Sequence, residues 1–182
     1  MPRIKEEIPY NGAYERIERL GLALILDELR RTITGFKLLV KEEKDANGGK
    51  AVRELIDKQF ASVGGWEKGG SGEIDWLKCR TINGTRVCLG VEVQFSARSD
   101  LMVMDVIHLR RAISTGRVDA GVIVAPTDGL SEFLTDRGPS ISAAKIHVKE
   151  ARAEDLPLIL ISLEHDGAGP PLAKQAKRQT NK

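Results

Sequence analysis

Two acids define the chemistry open to this chain. From Gly72 to Phe95 it reads GEIDWLKCRTINGTRVCLGVEVQF: two strand-like runs joined by Asn83-Gly84, a dipeptide that readily takes the positive-φ conformations of a two-residue type I′ turn. A tight turn there sets Asp75 opposite Glu92, Glu73 opposite Gln94 and Cys79 opposite Cys88. The Asp75–Glu92 pair falls at a non-hydrogen-bonded position, where facing Cα atoms approach to about 4.5 Å. A period of two lays Glu73, Asp75, Glu92 and Gln94 on one face and Ile74, Trp76, Leu89, Val91 and Val93 on the other. The pattern predicts a ribbon with one core side and one chemical side.

Two carboxylates about 5 Å apart at an effective dielectric of about 20 repel by roughly 3 kcal/mol, which a small domain does not keep for packing alone. A shared proton would raise one pKa; a hard divalent cation such as Mg²⁺ would accept one or two carboxylates and leave its other positions to water and phosphate oxygens. The cation suits phosphodiester hydrolysis. The plain alternative is a solvated hairpin face with its acids splayed into water. If repulsion dominates, removing either acid costs activity without costing stability.

The run Ile74-Asp75-Trp76, a short hairpin, and then VEVQFS from Val91 to Ser96 resembles the catalytic core of the PD-(D/E)xK nuclease superfamily. More narrowly it resembles the BglII-type restriction endonucleases, in which Gln replaces the usual final Lys. The resemblance implies a restriction-endonuclease-like three-layer α/β/α core, with a mixed central β-sheet flanked by helices. It implies Asp75, Glu92 and Gln94 as catalytic residues, with Asp75, Glu92 and the Val93 carbonyl holding Mg²⁺, for which Mn²⁺ can substitute. Gln94 would orient the attacking water by hydrogen bonding; an amide carries no positive charge and is no base at neutral pH. Glu73 and Glu54 are possible extra acids. The Asn that family members place ahead of the first acid has no counterpart in the Val63–Gly72 loop.

By the same resemblance the chain is a homodimeric type II restriction endonuclease cutting double-stranded DNA, with no organic cofactor. Two rivals stay open. One is a PD-(D/E)xK nuclease of repair or mobile-element origin, and the other a non-catalytic DNA-binding module on the same fold.

The elements around the hairpin must position these groups. With 182 residues, 41% apolar and 30% charged, the chain reads as one globular domain over residues 1–166 and a basic, disordered tail over 167–182. A net charge of +2 argues neither for nor against nucleic acid. No apolar run is long enough to cross a bilayer, so a cytoplasmic location is expected. In that compartment Cys79 and Cys88 are expected as free thiols despite their facing register.

Apolar periodicity predicts one long helix over Gly12–Arg31 and another over Ala51–Phe60, separated by a charged surface loop, Lys41–Lys50. A helix over Ser96–Thr115, with Ser99-Asp100 as N-cap, presents Asp105, His108, Arg110 and Arg111 on its more polar surface. His108 reads as an ordinary surface histidine. Arg110, Arg111 and Lys68 are candidate DNA-backbone contacts. The β-branched run Val118–Ala125 reads as a buried strand parallel to the one carrying Glu92. Asp128, Asp136 and Arg137 follow it in a loop; Ser142–Glu150 reads as a helix and Leu156–Leu163 as a last buried strand.

Overall fold

The computed structural model describes residues 1–70, 73–96, 102–135 and 138–174. The expected N-cap at Ser99-Asp100, the loop residues Asp136 and Arg137, and the tail from residue 175 onward lie outside the described residues.

The hairpin forms as its turn dictates. Strand β4 (Trp76–Ile82) pairs antiparallel with β5 (Thr85–Val93), Ile82 facing Thr85 and Trp76 facing Val91. Asn83 and Gly84 take φ values of 49° and 79°, as a type I′ turn requires. Beyond β5 the chain crosses through one helix (Met102–Ser114) and returns as a parallel strand, Ala120–Pro126. It crosses again through a second helix (Ile141–Glu150) to a further parallel strand, Leu158–Glu164.

In chain order the other elements are β1 (Arg3–Pro9), α1 (Ala13–Arg19), α2 (Ala23–Thr34), β2 (Leu39–Val40), α3 (Gly49–Val63) and β3 (Glu67–Lys68) ahead of the hairpin. After it come α4 (Met102–Ser114), β6 (Ala120–Pro126), α5 (Asp128–Phe133), α6 (Ile141–Glu150), β7 (Leu158–Glu164) and β8 (Gly167–Ala168). The central sheet runs β1-β7-β6-β5-β4-β3, parallel in its middle and antiparallel toward both edges. Helices cover both faces. Ile17, Leu29, Ile33, Ile56 and Phe60 of α1, α2 and α3 pack on one side with Trp76, Leu89, Val91 and Val93. Met102, Val106 and Leu109 of α4, with Ala144 and Val148 of α6, pack on the other with Leu77, Cys88 and Ile123. This is the restriction-endonuclease-like α/β/α sandwich with a mixed sheet.

Several expectations are corrected. The first long helix is two, broken at Leu20-Gly21-Leu22, where Gly21 takes a φ of 63° and Leu22 turns into the core. The loop Lys41–Lys50 is not all surface: the buried Asn47 side chain bonds Lys41, the Phe133 carbonyl and the Leu172 amide. The stretch expected as tail begins with β8, which pairs in parallel with β2, so the fold continues past residue 166. The chemical face of the hairpin is not open ribbon, because α4 covers it. Ile74, ahead of the strand, packs on this α4 side and not with Trp76. Cys79 and Cys88 are joined in a disulfide, not free; they face each other with Cα atoms 4.1 Å apart. No helix among the described residues is long and apolar enough to cross a membrane.

How closely α4 sits is set at Gly121. A Cβ there would meet Leu158 at 2.6 Å and Leu109 of α4 at 3.0 Å, so the helix reaches the sheet through the space a side chain would fill. Gly121→Val should lift α4 and lower stability by about 1–3 kcal/mol through overpacking. The urea midpoint measures it, and an unchanged midpoint would show that the helix is not seated by this contact.

Candidate active site

Glu92 lies near the end of β5, only 2% exposed, on the face that α4 covers. Asp75 precedes β4 by one residue and comes against it, close enough for its charge and hydrogen-bonding groups to act on the Glu92 carboxyl. The acids that the turn was expected to bring together are in contact. Burial, and then the charge of Asp75, push the Glu92 carboxyl up to about 11, so it keeps its proton through neutral pH unless a cation replaces it. Its Oε1 has no hydrogen-bond partner.

Helix α4 adds two groups that the sequence reading left on a polar surface. The Asp105 carboxyl is raised to about 7, first by burial and then by Asp75, with Arg53 and the Gln94 amide opposing, and its Oδ2 has no hydrogen-bond partner. His108, expected as an ordinary surface histidine, instead sets its Nδ1 3.3 Å from Glu92 Oε1. The period of α4 explains both positions. Asp105 and His108 are three residues apart, and Met102, Val106 and Leu109 beside them press the same flank onto the sheet.

Helix α3 brings a cation to the opposite side of Asp75. The Arg53 Nη2 atom is 2.8 Å from Asp75 Oδ1, its Nη1 donates to the Val93 carbonyl, and its Nε is 2.9 Å from Asp57 Oδ1. Asp75 Oδ2 accepts from the Val93 N–H at 2.8 Å. Asp57 also accepts from the Trp76 indole at 2.9 Å and from Lys68 at 3.1 Å; these partners hold it below the usual carboxylate range although burial works the other way. Arg53 carries no mark in the sequence, because an Arg between apolar helix positions looks solvated. Its only signal was proximity in sequence to Glu54.

The remaining candidates separate. Glu54 points away and pairs with Lys50 at 3.7 Å. Glu73 is not on the face of the two acids but in the adjoining loop, paired with Arg117 at 2.7 Å, and this guanidinium holds its carboxyl near about 2. Lys68 sits beside Asp57 and over the Trp76 ring at 5.3 Å. Arg110 is turned toward the α6–β7 connection, donating to the Ala151 and Arg152 carbonyls and pairing with Asp155. Arg111 lines a cleft of about 360 Å³ with Glu73, His108, Thr115 and Arg117, next to the buried acids.

This donor set fits a divalent cation. Two carboxylates, a third acid and a backbone carbonyl are hard oxygen ligands, and the Glu92 and Asp105 oxygens without hydrogen-bond partners are buried where a proton or a cation would answer them. Asp75 and Val93 already have Arg53 as a partner, but each oxygen keeps a second lone pair. The family model for restriction endonuclease BglII/BglIII matches residues 6–163, from β1 into β7. No curated protein matches the chain.

The raised acids fix a sign for pH dependence. Each binds its proton more tightly folded than unfolded, so its contribution to stability is complete below about pH 4 and is lost as pH rises toward about 7 for Asp105 and about 11 for Glu92. In EDTA, between about pH 5 and 7, stability should fall by up to about 1.4 kcal/mol per pH unit for each group. Asp105→Asn should flatten part of that slope in urea titrations; an equal slope in the variant would remove Asp105 from the cluster. Asp75→Ala, contrary to the expectation from repulsion alone, should cost about 1–3 kcal/mol by leaving Arg53 and the Val93 N–H unanswered, measured by the same titration.

Proposed function

We propose, from the premise that the chain belongs to the BglII/BglIII restriction endonuclease family, that Asp75 and Glu92, with the Val93 carbonyl, hold the Mg²⁺ of a nuclease centre in which Gln94 orients the attacking water. The family makes the chain a type II site-specific deoxyribonuclease, and DNA is its substrate. The single observation that carries the residue assignment is the contact of two carboxyl groups, one of them 2% exposed, at the head of the hairpin.

Each residue has a task derivable from its surroundings. Asp75 is held in place by Arg53 and by the Val93 amide, so its carboxylate needs no reorganisation to meet a ligand. Glu92 exchanges its proton for a cation and so gives the centre a pH-dependent affinity. Gln94, 7% exposed beside Asp105, offers an amide that donates and accepts hydrogen bonds without charge. Arg53 offsets the negative charge of the two acids from the α3 side. A Mg²⁺ ion, when bound, supplies positive charge to the phosphoryl oxygens and lowers the pKa of water. Arg111, on the cleft beside the acids, is the stronger of the two helix arginines for phosphate contact, since Arg110 is engaged with the α6–β7 connection. Hydrolysis of both strands follows from a homodimer, each subunit cutting one strand of a symmetric site in the cytoplasm, with a nuclease domain that runs from the N-terminus through β8.

A plasmid digest tests the reading. Mg²⁺ should give discrete fragments, EDTA should stop the reaction, and Mn²⁺ should substitute; a smear of random nicks would replace site-specific cleavage with a general nuclease. Glu92→Gln and Asp75→Asn should each reduce kcat by about 10³-fold or more while the folded state persists in circular dichroism. Gln94→Lys should retain part of the activity, because an ammonium can also hold water; complete loss would give the amide a different task.

A further inference from the structure

We propose that Glu92, Asp105 and His108 form a second cation site, on the α4 side of the hairpin acids, that takes a borderline divalent transition ion such as Mn²⁺ through two carboxylates and one imidazole nitrogen. One ligand atom from each of the three residues lies within 4.8 Å of the other two. Ligands about 2.2 Å from a common ion stand at most about 4.4 Å apart, so the site closes with side-chain movements of a few tenths of an ångström.

Three observations point to a ligand here and not to a mere acidic cluster. Glu92 is 2% exposed and its Oε1, aimed at the group, has no hydrogen-bond partner. The Asp105 Oδ2 atom is likewise buried without one. The His108 Nδ1 atom faces Glu92 Oε1 at 3.3 Å, so the imidazole presents its nitrogen to the place where the two carboxylates converge. An entry path exists, because His108 also lines the cleft that Arg111, Arg117 and Glu73 surround.

The donor types decide which ion. Mg²⁺ favours oxygen ligands in near-ideal octahedral geometry and dehydrates reluctantly, whereas a neutral imidazole suits first-row transition ions. Two carboxylates and one neutral imidazole leave a charge that one divalent ion cancels. The site shares Glu92 with the nuclease centre and rests on that reading for any role in cleavage, though not for its capacity to bind metal.

The full-length protein without DNA is titrated with Mn²⁺ and followed by electron paramagnetic resonance, with pulsed detection of nitrogen coupled to the bound ion. Wild type should show an imidazole nitrogen coupling that persists under an excess of Mg²⁺. His108→Ala should abolish that coupling and weaken Mn²⁺ binding by about ten-fold or more. Asp105→Asn should weaken binding while keeping the nitrogen signal, which guards against a variant that simply misfolds. Absence of nitrogen coupling in wild type, or unchanged coupling in His108→Ala, overturns the proposal. Site-specific cleavage by Mg²⁺ without the nitrogen signal would sink this site and leave the nuclease reading standing. The nitrogen signal without cleavage would do the reverse.

Discussion

A carboxyl group at 2% exposure beside a second carboxylate cannot ionise in a dry interior unless positive charge is brought to it. The chain meets that constraint from two directions. On one side Arg53 reaches from α3 to Asp75, Asp57 and the Val93 carbonyl, fixing the exposed end of the pair. On the other side Glu92 faces Asp105 and His108 from α4, and its Oε1 is left without a hydrogen bond. The asymmetry separates the roles: Asp75 is structurally answered, and Glu92 waits for a proton or a metal.

The fold exists to hold that asymmetry still. Parallel pairing of β5 with β6 and of β6 with β7 buries the strand carrying Glu92 on both faces and gives its register no freedom to slip. Helix α3 packs Val52, Ile56 and Phe60 on one face of the sheet, and α4 packs Val106 and Leu109 on the other. Arg53 and the Asp105–His108 pair are delivered by helices whose apolar neighbours are already committed. Precision at the site is inherited from packing.

The hairpin was legible because its register follows from a local rule: Asn83-Gly84 fixes the turn, and the turn fixes which residues face. The parallel crossover to β6 was legible because the run Val118–Ala125 is nearly continuously apolar and β-branched, as a strand buried on both faces is. The metal-facing side of α4 was not. Asp105 and His108 are polar residues on a helix, a pattern that ordinarily marks solvent, and only the neighbouring acids make that flank interior. Strand β1 was missed for a related reason: RIKEEIP carries charges where a core strand would be apolar, yet it pairs with β7 at the sheet edge, where charged side chains are the rule. The cysteine pair shows the limit of a compartment argument. The facing register was foreseen, but whether the sulfurs join depends on local geometry and redox conditions together.

The chain contains two tryptophans, and both indole N–H groups end on carboxylates of this neighbourhood. Trp76 donates to Asp57, which is itself bound to Arg53, and stacks on Phe60 with ring centres 5.0 Å apart; Trp66 donates to Glu28. Any ligand that draws Arg53 away from Asp57 changes the charge next to the Trp76 ring. Such a shift would register in the intrinsic emission of unlabelled material, through the Trp76–Asp57–Arg53 chain of contacts.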